Sequence, residues 1–156
     1  MIVDGGQPAS GEIFYLAGRV MDTSGVPLSG IAIEIWQCDA NGIYRHSGDS
    51  RRGRFDVNFQ GFGKTTTNEV GAYRFRTITP VSYPGRAPHI HFKVKAPNRQ
   101  EFTSQLYLAG LSQNKADLLF NRLQGHRAQE GASVRQIPAP ELDPNALKGS
   151  FDIVLG

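Results

Sequence analysis

The sequence predicts an all-β chain: a single domain over residues 1–156, folded as one β-sandwich with one short helix near 114–123. Three observations lead there. Short apolar runs alternate with polar residues at period 2, the pattern of half-buried strands. Eighteen glycines and nine prolines punctuate those runs, above the usual ~12% of a chain. Hydrophobic residues make up 39% of 156 positions, enough apolar mass for one core and a short length for two domains.

The elements follow in chain order. Residues 14–20 form a first strand, closed by the turn Thr23-Ser24-Gly25-Val26-Pro27. In residues 31–37, Ile31, Ile33 and Ile35 share one face, so this segment is a strand with one side in the core. Asp39-Ala40-Asn41-Gly42 is a turn, since Asn-Gly readily adopts positive φ. The polar stretch 47–54 reads as a loop. Residues 72–78, 89–94, 102–109 and 151–155 are further strands. Between the first two of these, residues 80–88 hold three prolines and a glycine, which makes a stiff, irregular connection. Over 114–123, Ala116, Leu119, Phe120 and Leu123 fall on one helical face, with Gly125 beyond as a stop.

Composition removes several classes of function. No run approaches the 18 apolar residues of a membrane-spanning helix, so no membrane role is expected. A single cysteine, Cys38, forms no internal disulfide and supplies no cysteine-based zinc or iron–sulfur site. The net charge is +3, and its one tight cluster, Arg51, Arg52 and Arg54, sits in the loop as solvated charge without interleaved aromatics. No nucleic-acid partner is expected; the charge favours anionic small molecules. Residues 1–6 show neither a basic n-region nor an apolar run, so the expectation is a cytoplasmic protein, or a secreted one if a signal sequence precedes this segment.

His89 and His91 are two apart on a strand, so both imidazoles project from the same face while Ile90, Phe92 and Val94 point into the core. Such a pair is either a metal platform or two hydrogen-bonded strand histidines. A cupin site would need Glu four residues after the second His, where Lys95 stands, and the remaining histidines, His46 and His126, lie outside the strands. No carboxylate follows at the spacing of a two-His-one-carboxylate site. Tyrosines do stand beside turns: Tyr44 after Gly42-Ile43, and Tyr83 before Pro84-Gly85. Tyr73 and Tyr107, inside alternating strands, read as core residues.

Taken together, Leu16-Ala17-Gly18-Arg19-Val20, Glu34-Ile35-Trp36-Gln37-Cys38-Asp39, Gly42-Ile43-Tyr44-Arg45-His46 and Gly71-Ala72-Tyr73-Arg74-Phe75 resemble the intradiol ring-cleavage dioxygenases. Tyr83-Pro84-Gly85-Arg86-Ala87-Pro88-His89-Ile90-His91-Phe92 is the most specific segment of the likeness, which spans about residues 14–110. The resemblance implies a transthyretin/immunoglobulin-like sandwich and a non-haem Fe(III) held by Tyr44, Tyr83, His89 and His91. It implies that Tyr83 is the ligand that substrate displaces, with Tyr44 staying bound, and that Arg86 and Gln105 are active-site residues. Arg86 would stabilise negative charge developing on the substrate ring. A trivalent cation would hold both phenols as phenolates despite their ordinary pKa near 10.

The implied activity is oxidoreductase chemistry on a small aromatic diol and O2, cleaving the ring between its hydroxylated carbons to a cis,cis-muconate. The alternative is a non-catalytic transthyretin-like binding or accessory domain, which shares the glycine-rich strand pattern but has no need of these four residues together. Tyr83 and His89 are only six residues apart, and only a short segment precedes the first strand, where the large family members have an insertion and a helical region. A shallow, open pocket is therefore expected. The net charge points to a carboxylated catechol such as protocatechuate; an open pocket equally admits catechol or hydroxyquinol.

Overall fold

The computed structural model describes residues 7–156, and the reading of residues 1–6 as lacking a leader lies outside the described residues. In chain order the strands are β1 (Ile13–Asp22), β2 (Ala32–Trp36), β3 (Phe62–Thr66), β4 (Ala72–Ile78), β5 (His89–Lys95), β6 (Phe102–Leu108), β7 (Ser133–Val134), β8 (Ile137–Pro138), β9 (Leu147–Ser150) and β10 (Ile153–Leu155). They form two five-stranded sheets. In the first, long β1 pairs antiparallel with β4 on one edge. On its other edge it pairs in parallel with β9 and then β10, and β8 lies outside β9. In the second the order is β3-β2-β5-β6-β7.

The core lies between the sheets. Phe14, Leu16 and Val20 of β1 and Tyr73 and Phe75 of β4 pack against Ile33 and Ile35 of β2 and Ile90, Phe92 and Val94 of β5. Period-2 alternation thus commits one face of each strand to the sandwich interior, where each fully buried side chain contributes about 1.5–3 kcal/mol. It also turns His89 and His91 outward. Their face of the second sheet is covered by loops pinned through two smaller apolar clusters. One joins Ile43, Phe55, Phe59 and Ile78; the other joins Ala87, Tyr107 and Phe120.

The strands expected from alternation are all present. Four more, β3, β7, β8 and β9, carry too little apolar periodicity to be read: in β3 Phe62 is 49% exposed, and β7 and β8 are two-residue pairings. A short helix does lie within 114–123, with a smaller extent and a different buried face from those expected. A 3-10 turn covers Ser112–Ala116, Asp117 is extended, α1 is only Leu118–Asn121, and α2 (His126–Gly131) follows. The buried positions are Asn114, Asp117 and Phe120, a period of three rather than 3.6, while Ala116 and Leu119 face solvent. Two buried polar side chains break the helix. Asn114 Nδ2 donates to the Leu108 carbonyl, and the Asp117 carboxylate caps α1 by accepting from the Leu119 and Phe120 amides.

Candidate metal centre

Sheet register assembles the site. His91 stands opposite Trp36 of β2 and Gln105 of β6, and His89 stands opposite Tyr107. Two cross-strand rows on one face therefore carry Trp36, His91 and Gln105, then His89 and Tyr107. The His89 and His91 Nε2 atoms are 3.2 Å apart. His89 Nδ1 lies 2.7 Å from the Ala87 carbonyl, and since a carbonyl only accepts, Nδ1 carries the proton and Nε2 presents a lone pair. The Trp36 indole lies flat on His91, centroids 5.0 Å apart and planes within 1°, which fixes the plane of that imidazole.

The two tyrosines arrive from different loops. Asp39 organises the first: one carboxylate oxygen accepts from the Asn41 and Ile43 amides, the other from Asp56 N, and the turn carries Tyr44 inward. Tyr83-Pro84-Gly85-Arg86 is a tight turn closed by Arg86 N donating to the Tyr83 carbonyl. Pro at its second position and Gly85 at φ 79° at its third meet the requirements of a type II turn. The turn sets Tyr83 and Arg86 side by side. The two loops touch at Gly42, whose φ is 71° and where a Cβ would lie 3.3 Å from both Ser82 O and Tyr83 Cβ.

Tyr83 Oη is 3.4 Å from His89 Nε2. The Tyr44 ring meets Tyr83 edge-on at 5.6 Å and His91 at 6.1 Å. The Tyr44 hydroxyl is buried without a hydrogen-bond partner. Burial, with the neighbouring Tyr83 adding to it, pushes the Tyr44 phenol well above its ordinary pKa. Burial also lowers His91 to about 4, helped by His89 and the Arg86 charge, and lowers His89. Both imidazoles are therefore neutral at pH 7, the state in which they donate lone pairs. Among the described residues, no group of three or more His, Cys, Asp or Glu side chains is arranged to hold a metal. The convergent donors are two imidazoles and two phenols.

Arg86 completes the cluster. Its Nη1 donates to Tyr83 Oη at 3.3 Å, its Nη2 to Gln105 Oε1 and, at 3.3 Å, to Tyr107 Oη, and its Nε to Asp117 Oδ2 at 2.9 Å. Every residue singled out in the sequence, Tyr44, Tyr83, Arg86, His89, His91 and Gln105, lies in this one cluster. Three others belong to it. Tyr107 is a core ring, as read, but its hydroxyl donates to Gln105 Oε1 at 2.8 Å. Trp36 and Asp117 had no assigned role; the available signal for Asp117 was an Asp immediately before Leu-Leu-Phe, an N-cap pattern. A cleft of about 840 Å³ opens beside the cluster, lined by Trp36, Tyr44, Arg45, Asp49, Arg51 and Phe62 among others.

A β-sandwich with two histidines and two tyrosines converging on the outer face of one sheet defines the class of protein. The profile of the Dioxygenase family matches residues 2–155, and the chain belongs to that family, the intradiol ring-cleavage dioxygenases. It is 36% identical over 165 residues to the protocatechuate 3,4-dioxygenase beta chain of Burkholderia cepacia, across 98% of this chain and 68% of that one. It is 31% identical over 160 residues to a catechol 1,2-dioxygenase of Pseudomonas sp. (strain EST1001), across 89% of this chain but only 50% of that one. Among solved structures, the dioxygenase domain of a dioxygenase carbohydrate-binding protein fusion from Streptomyces sp. SirexAA-E superposes with a TM-score of 0.76. That comparison has 30% identity and covers 99% of this chain and 84% of that domain. The chain thus spans from about a third to two thirds of the length of the curated relatives it matches.

Proposed function

We propose that this chain is a non-haem Fe(III) intradiol dioxygenase acting on a catechol-type diol, with Tyr44, Tyr83, His89 and His91 holding the iron. The observation that carries the reading is the buried, unpartnered Tyr44 hydroxyl beside two neutral imidazoles whose Nε2 atoms face one another. An unsatisfied buried hydroxyl costs about 1–3 kcal/mol. A cation coordinated by all four residues removes that penalty and takes up the imidazole lone pairs, and two phenols suit a hard trivalent ion. When bound, ferric iron keeps the phenols ionised and supplies the Lewis-acid and redox chemistry that lets a diol react with O2.

The chain's own residues do the rest. The bond from His89 Nδ1 to Ala87 and the Trp36 stack hold both imidazoles in orientation. Tyr83, on the tight turn beside Arg86, is the phenol that exchanges with substrate: held as phenolate by the bound ion, its Oη takes a proton from an incoming diol hydroxyl. Arg86 is partly buried, and its ion pair with Asp117 keeps it cationic. It stabilises negative charge on the diol ring. Gln105 accepts from Arg86 and Tyr107 and fixes the guanidinium plane. In the overall reaction the bond between the hydroxylated carbons breaks and both atoms of O2 enter the product, a cis,cis-muconate. Arg45 in the adjoining cleft favours diols that carry a carboxylate, Arg51 being paired there with Asp49.

The test is oxygen uptake by the iron-loaded chain with catechol, hydroxyquinol and protocatechuate, with product identified by mass. Ring-cleaved diacid carrying two atoms of labelled oxygen is the expected result, fastest with protocatechuate. Bound iron without ring cleavage of any diol would replace the enzyme by a binding domain.

A further inference from the structure

Asp117 makes more contacts with the site than a helix cap requires. Its side chain is fully buried. Oδ1 serves the cap, accepting from the Leu119 and Phe120 amides at 2.9 and 3.0 Å. Oδ2 points the other way, accepting from Arg86 Nε at 2.9 Å and from the Ala87 amide at 2.8 Å. The Ala87 carbonyl in turn accepts from His89 Nδ1. One carboxylate therefore reaches the guanidinium directly and the His89 imidazole through a single residue, Ala87. The Tyr107 hydroxyl lies 3.4 Å from Oδ1, so the core side of the network ends on the same group.

We infer that Asp117 is a positioning residue for the proposed reaction: it anchors Arg86 at Nε so that the two remaining guanidinium nitrogens reach Tyr83 Oη and Gln105. The inference rests on the proposed dioxygenase function for its kinetic consequence, though not for its geometry. An arginine side chain carries substantial rotamer freedom, and a fork aimed at two targets needs its third corner fixed. Tyr83, Gln105 and Tyr107 offer oxygens that each serve other partners, and Asp117 alone brings a full opposite charge, whose hydrogen bonds are shorter and stronger. A plain cap needs only Oδ1. The orientation of Oδ2 makes α1 part of the site.

The experiment uses Asp117→Ser, since serine still caps a helix N-terminus but cannot reach Arg86 with a charge. Asp117→Asn, which keeps one acceptor oxygen, takes its place if the serine variant does not fold. The first readout is the Arg86 Nε–H resonance of the metal-free protein, followed by nitrogen-15 NMR. Slow exchange with water in the parent chain and fast exchange in the variant, with the α1 amides unchanged, is the expected result. The second is a kinetic cycle with Arg86→Gln on the iron-loaded protein. The Asp117 substitution lowers kcat about 10-fold or more in the parent chain, changes KM less, and has under a 2-fold effect once Arg86 is gone. An Arg86 Nε–H that stays protected in the variant, or equal losses of kcat with and without Arg86, overturns the inference. A parent chain that turns over no diol overturns the proposed function instead, and the NMR readout still decides the role of Asp117.

Discussion

The Trp36 indole and the His91 imidazole stack in parallel with planes within 1° and centroids 5.0 Å apart, on adjacent strands at directly opposed positions. The stack ties a strand of the core to the candidate metal centre, so core packing sets the orientation of His91. Trp36→Ala removes half-buried aromatic surface and the face on which His91 rests. We expect a loss of about 2–4 kcal/mol in denaturant unfolding, together with weaker iron retention. Trp36→Phe keeps a stacking face and should recover most of the iron retention.

Tyr44 gives a prediction of opposite sign for the two forms of the protein. Its hydroxyl is buried and unpartnered without metal, so Tyr44→Phe should stabilise the metal-free chain by about 1 kcal/mol or leave it unchanged. The same substitution should lower iron affinity by at least 10-fold. Paired melting curves with and without iron check this, and a metal-free variant that melts well below the parent would show that the hydroxyl has a structural partner.

The pH dependence of the metal-free chain follows from His91. Its pKa of about 4 lies below the ordinary 6.5 because burial, with His89 and Arg86 nearby, disfavours the imidazolium. The unfolded chain therefore binds the proton first. The stability from keeping His91 neutral is fully present above pH ~6.5 and is lost as pH falls toward 4, a total of about 3 kcal/mol. His91→Gln should reduce that slope in urea unfolding across the same range, leaving the part that His89, also lowered by burial, contributes.

Gly42 holds the two tyrosine loops at contact distance with φ 71°, a backbone region that disfavours any side chain. Gly42→Ala should cost about 1–2 kcal/mol and, by pressing on Tyr83, weaken iron binding without touching a donor atom. Thermal melts and iron titration of that variant separate the two effects.

Much of this was legible in the sequence, for physical reasons that differ by element. β1, β2, β4, β5 and β6 each put one face in the core, so their alternation was strong. β3, β7 and β8 are edge strands, and β9, between β1 and β8, has a single apolar side chain in Leu-Lys-Gly-Ser; their pairing is set by neighbouring strands, which local pattern does not record. The segment 112–121 misled because its apolar residues fit a helical face, whereas buried Asn114 and Asp117 paired with backbone amides and carbonyls and broke it. Tyr44, Tyr83, His89 and His91 were found from turns, spacing and family likeness. Trp36 and Asp117 were not, because their roles depend on cross-strand register and on a carboxylate shared between two loops.

Two phenols and two imidazoles holding one ferric ion would show most directly in the visible absorption of the iron-loaded chain. Phenolate-to-iron charge transfer should colour the protein wine-red. Tyr44→Phe and Tyr83→Phe should each shift or weaken the band, and His91→Ala should abolish it with the bound metal. A chain that stays colourless and iron-free after loading with ferric or ferrous iron in air would contradict the account.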